Sequence, residues 1–123
     1  MTEDAVLQLL HRKQLLVTSI PASEESKRAF LGVYPIEPTW PSTSAMLRRL
    51  GISLQNTAAP LYRISSFEID QKLVETQDYP SEEDLDRVRD VVAIGDNDLR
   101  NKLLEFGVDL TQLDVPSNSD YPL

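Results

Sequence analysis

Apolar residues recur at Val6, Leu9 and Leu10, with Lys13 on the same stripe, a helical spacing that starts from Thr2 as N-cap and places Glu3 and Asp4 at the positive end of the dipole. From Gln14 to Ile20 the chain is apolar and partly β-branched, which suits either the last helical turns or a short strand, and Pro21 stops both. Ser23, followed by Glu24 and Glu25 and then Lys27 and Arg28, predicts a second short helix that closes at Gly32. Ser42 or Ser44 begins a third, through Met46, Leu47 and Leu50. Ser65 and Glu68 have the spacing of a capping box and predict helix from Phe67 to about Thr76. Asp78-Tyr79-Pro80 breaks the chain, and Ser81 to Asp84 opens the most regular pattern of all, with Leu85, Val88, Val91 and Val92 on one helical face. Asp96 or Asn97 caps a last helix through Leu99, Leu103, Leu104 and Phe106.

The four glycines punctuate these runs. Gly32, Gly51, Gly95 and Gly107 follow Leu31, Leu50, Ile94 and Phe106, and three of them precede Val33, Ile52 or Val108, the apolar residue that a glycine helix closure folds back onto the last turn. The same stereochemistry accounts for the likeness of Leu47–Leu54 to Leu103–Leu110 without a duplication. Between Val33 and Pro41, prolines at every third position have polyproline II spacing and predict an extended crossover whose Tyr34 and Trp40 rings pack on neighbouring helices, with a ligand for a proline-recognising domain as the alternative. The expected fold is predominantly α, a single compact domain over residues 1–110 with five or six short helices. A minor strand element is placed at Gln14–Ile20 or Leu61–Ile64, and residues 111–123 read as a flexible C-terminal tail.

Composition narrows the chemistry. With 123 residues, 41% of them hydrophobic and 26% charged, the chain is long enough for one core and too apolar to stay unfolded. It has no cysteine, so disulfides, thiolate metal sites and a cysteine nucleophile are excluded, and a cytoplasmic location is expected. The acidic start, with His11, Arg12 and Lys13 inside the apolar stretch, has the wrong order for a signal peptide, and no apolar run reaches the ~18 residues of a membrane span. The net charge of −8 is unevenly held: residues 1–61 carry five acids and six bases, residues 62–123 fifteen acids and six bases. Such a field repels nucleic acid and anionic lipid and attracts basic surfaces.

Catalytic and metal patterns find little support in the residues. His11 stands without a placed partner, no serine sits in a nucleophile elbow, and every glycine is isolated, so no phosphate-cradling loop is present. Asp96-Asn97-Asp98 lacks the glycine and the distal glutamate of a calcium loop and reads as turn and cap groups. Leu50-Gly51-Ile52 resembles the turn of a helix-turn-helix motif, which makes a transcriptional regulator one alternative, although Pro60 would fall inside the recognition helix. The expectation is instead an acidic protein-protein interaction module without enzyme activity, cofactor or metal, of inhibitor, immunity-protein or adaptor type. Its partner would be a basic protein such as a toxin; a structural or regulatory subunit of a larger assembly is a further alternative. Asp78, Glu82, Glu83, Asp86 and Asp90 would form its electrostatic face, with Tyr79, Trp40 and Tyr34 as aromatic anchors.

Overall fold

In a computed structural model, which describes residues 1–52, 59–75, 84–119 and 121–122, the chain forms an α+β domain rather than a helical one. The elements are α1 (Glu3–His11), β1 (Leu16–Ile20), β2 (Lys27–Ile36), α2 (Pro41–Arg49), β3 (Leu61–Asp70), α3 (Gln71–Glu75), β4 (Leu85–Ile94) and α4 (Asp96–Glu105). The strands make one antiparallel sheet in the order β1-β2-β3-β4. Short 3-10 turns follow at Leu110–Gln112 and Pro116–Asn118.

Three helices stand close to where the sequence puts them, but two starts are corrected: the N-cap of α2 is Trp40 and not Ser42 or Ser44, and that of α4 is Gly95 and not Asp96 or Asn97, neither with a side-chain capping bond. Thr2 accepts the Ala5 N–H at the start of α1. At the ends of α2 and α4, Gly51 and Gly107 take left-handed φ of 70° and 73°, and Ile52 and Val108 return their N–H to Leu47 and Leu103 at 2.9 and 3.0 Å. The other helical expectations are corrected. The segment assigned to a helix closing at Gly32 is mostly β2, and Gly32 sits inside that strand. Val33 to Ile36 belong to β2 as well, so the polyproline stretch is shorter than expected; Pro35 lies beyond the last β1 pair, Leu16 with Val33, and its missing donor leaves no bond to β1 unmade. Ser65 and Glu68 are strand residues of β3, and α3 starts only at Gln71.

The largest correction is β4. Its apolar residues at three-residue intervals mimic a helical face because a bulge interrupts the alternation: Ser66 pairs with Arg89 but Glu68 pairs with Asp86, and Arg87 takes a φ of 51° in the extra length. Leu85 therefore joins the outer layer, Val88 stays half exposed and Val91 joins the inner layer, so the three-residue spacing marks no single face.

Alternation then sorts the core into two layers. On the inner face Leu31, Val33, Tyr62, Ile64 and Ala93 pack against Val6 and Leu10 of α1 and Leu99 and Leu103 of α4. On the outer face Val17, Phe30, Phe67 and Ile69 are covered by Leu73 and Val74 of α3 and by Tyr121. The residues beyond Leu110, assigned to the tail, run past the rim of β1, where Val17 and Asp114 exchange backbone hydrogen bonds of 2.8 and 2.9 Å. Leu113 is buried under the inner layer, and Tyr121 lies on the outer one.

One buried carboxylate makes stability pH-dependent. Glu68 accepts the Ser23 Oγ–H at 2.7 Å and the Ser23 N–H at 3.0 Å and lies 3.5 Å from Arg87; the Ser23 bonds, with the arginine behind them, hold its pKa below the ordinary carboxylate value. Because the folded pKa is the depressed one, this contribution is complete at neutral pH and is lost as pH falls through the carboxylate range. Urea unfolding at a series of pH values should therefore show a shallower acid loss for Glu68→Gln than for the native chain. Parallel curves would refute the assignment.

Candidate functional site

Strand register brings an arginine between two groups that hold it. Tyr34 on β2 is directly opposite Arg63 on β3, and Asp90 on β4 is the diagonal neighbour, so the three form a row across the outer face. The Arg63 guanidinium lies over the Tyr34 ring, 5.6 Å from its centroid, and its Nε and Nη2 each stand 3.1 Å from Asp90 Oδ1. The Tyr34 hydroxyl bonds in turn to that of Tyr121, whose own pKa burial pushes well above the ordinary phenol value.

Above this row lies α2. Pro41 at its first position suits a helix start, Trp40 precedes it as N-cap without a side-chain capping bond, and Arg48 and Arg49 occupy its last turn. Thr43 and Leu47 are its buried residues. Ser42, Ala45, Met46 and Arg49, at helical spacing, face a cleft whose opposite wall is Tyr34, Pro35, Ile36 and Arg63. The cleft has a volume of about 570 Å³ and runs about 10 Å along the helix. Trp40, 42% exposed, stands at its end.

The structure thus brings Trp40 and Tyr34 to one cleft and places Asp90 behind it, holding Arg63. Asp86 is elsewhere, bonded to Lys27, whose pKa this contact raises. Asp78, Tyr79, Glu82 and Glu83 lie outside the described residues. Other acids of the same stretch also meet local donors. Asp98 accepts the Ile94 N–H and pairs with Lys102 at 2.9 Å, and Asp96 accepts the Tyr62 hydroxyl at 2.7 Å and lies 3.2 Å from His11 Nε2. The histidine, solitary in the sequence, ties α1 to α4 while Tyr62, buried beneath, has its phenol pKa pushed up by desolvation.

Arg63, Arg49 and Met46 were not among the residues singled out from sequence. Arg49 stands in the last turn of a helix, where any cation suits the dipole, and Arg63 gains its meaning from a strand register that no local pattern carries. The helix-turn-helix alternative needs a helix from Ser53 onward; residues 53–58 lie outside the described residues, and the chain resumes as Ala59, Pro60 and then β3. No described helix is long and apolar enough to cross a membrane. Comparison with protein-family models, with curated proteins and with solved structures returns no match.

Proposed function

We propose that the protein is a recognition module for a protein partner and that the cleft along α2 receives an exposed segment of that partner. The convergence of Trp40, Tyr34 and Met46 with two arginines on one concavity carries the reading. Ligand sites commonly take the form of a cleft of a few hundred Å³ with apolar walls and a few directed polar groups, and tryptophan, tyrosine and arginine are the side chains that most often anchor interfaces. About 10 Å of helix matches some three residues of extended chain. The interaction module expected from the sequence, inhibitor or adaptor in kind, is retained, without a catalytic step or a cofactor. Its contact moves from the carboxylates to the cleft, because Asp86 and Asp90 each already hold a cation of this chain.

Selection of displayed peptides on the full chain tests this directly. Trp40 is the single tryptophan, so a segment seated in the cleft should shift its emission. Ala45→Glu, which adds bulk and charge on the exposed helix wall, should weaken the selected peptides at least tenfold, on the order of 1.4 kcal/mol or more. Peptides that bind the variant as well as the native chain, with Trp40 emission unchanged, would place recognition elsewhere.

A further inference from the structure

We infer that the segment taken by the cleft presents a carboxylate and that Arg63 and Arg49 clamp it; the inference rests on the cleft being the recognition site. Asp90 occupies the Nε and Nη2 edge of the Arg63 guanidinium, both at 3.1 Å. The end of the plane formed by Nη1 and Nη2 is left to face a second oxyanion, and a planar carboxylate matches that fork with two parallel bonds. The guanidinium is not a floating charge. Asp90 holds one edge of it, the guanidinium carbon stands over the Tyr34 ring, 5.6 Å from the centroid, and Tyr34 is in turn bonded to Tyr121, so the fork is oriented before anything binds. Arg49 lines the same cleft from α2 and makes no ion pair among the described residues.

Charge selects among oxyanions. Asp90 cancels one of the two guanidiniums, so the lining carries one net positive charge and balances a monoanion, whereas a phosphate near its dianionic state would leave an excess negative charge on a molecule already at −8. The aromatic residues beside the arginines favour an apolar or aromatic side chain next to the carboxylate. An acidic side chain and a chain-terminal carboxylate supply the same group.

Titrations followed by Trp40 emission and by the arginine Nε resonances test the site, with N-acetyl-phenylalanine, its amide and phenyl phosphate as probes. The acid should bind about tenfold more tightly than the amide, the equivalent of one charge-assisted bond pair, and added salt should reduce the difference. Arg49→Gln, which breaks no described contact, and Arg63→Gln should each bring the ratio towards one without abolishing amide binding. Asp90→Asn should move preference towards phenyl phosphate. Equal binding of acid and amide while Trp40 still responds would overturn the carboxylate and leave the cleft standing. Silence of Trp40 with every probe at millimolar concentration would overturn both. Preference of the native chain for phenyl phosphate would overturn the monoanion assignment. With the acid preferred, comparison of amidated acetyl-Phe-Glu with acetyl-Phe-Gln tells a side-chain source from a chain end, since a chain-end preference leaves these two equal.

Discussion

Leu103→Ala is expected to lower the unfolding free energy by about 3–4 kcal/mol, a fall of roughly 10 °C or more in the thermal midpoint of a domain this size. Leu103 has no exposed surface and sits in the inner layer between α4 and the sheet. Its replacement removes buried methyl groups and leaves a void that α4 is poorly placed to fill, because the carbonyl of residue 103 accepts the closing bonds from Phe106 and Val108. The neighbouring residue supplies the control. Leu104 is 64% exposed, and Leu104→Ala should change stability by less than about 0.5 kcal/mol. Equal losses at the two positions, measured by urea unfolding, would mean that α4 presents another face to the sheet.

The second large effect concerns Tyr121. Its ring lies edge-on to Phe30, with centroids 5.8 Å apart, and 5.6 Å from Phe67, and these two phenylalanines are themselves 5.9 Å apart. Tyr121→Ala should cost about 3 kcal/mol, since it uncovers this aromatic group and removes the partner of the Tyr34 hydroxyl. Tyr121→Phe keeps the ring and should cost only about 1 kcal/mol. The same seat can be blocked from below. A β-carbon on Gly32 would lie 2.9 Å from the Tyr121 hydroxyl and 2.9 Å from Tyr34 Cε2, which explains a glycine inside a paired strand. Gly32→Val should therefore lose a similar amount, and combining it with Tyr121→Ala should cost clearly less than the sum of the two. Full additivity would show that the two residues do not share this seat.

The parts of the molecule legible in the sequence are those whose causes are local. The Thr2 cap and the Gly51-Ile52 and Gly107-Val108 closures are short-range hydrogen-bond patterns, and α1, α2 and α4 follow from them. The strands were obscured for separable reasons. Lys27 to Ile36 carries capping-type residues before it and a glycine within it, a combination that imitates a short helix, whereas its register on β3 depends on partners 25 to 43 residues away. In β4 the bulge at Arg87 defeats any fixed period. The cleft shows the same division. Trp40 and Tyr34 stand out as aromatics among prolines, while Arg63 meets Tyr34 only because residue 34 is opposite residue 63.

The charge asymmetry of the sequence likewise changes meaning once strands replace helices. On a helix the acids near Asp86 would share a solvated face; on β4 two of them find Lys27 and Arg63 across the sheet. Net charge describes the whole molecule, but pairing decides how much of it a neighbour can feel.

The rims of the sheet limit how another chain can engage this one. Along β1, the backbone contact from Asp114 already takes part of the outward-facing hydrogen-bonding row. Along β4, a kinked rim studded with Arg87, Arg89, Asp86 and Asp90 discourages a foreign strand from docking in register. Main-chain zippering, the common route to indiscriminate self-association, is thereby disfavoured, and the molecule must be approached through side-chain complementarity.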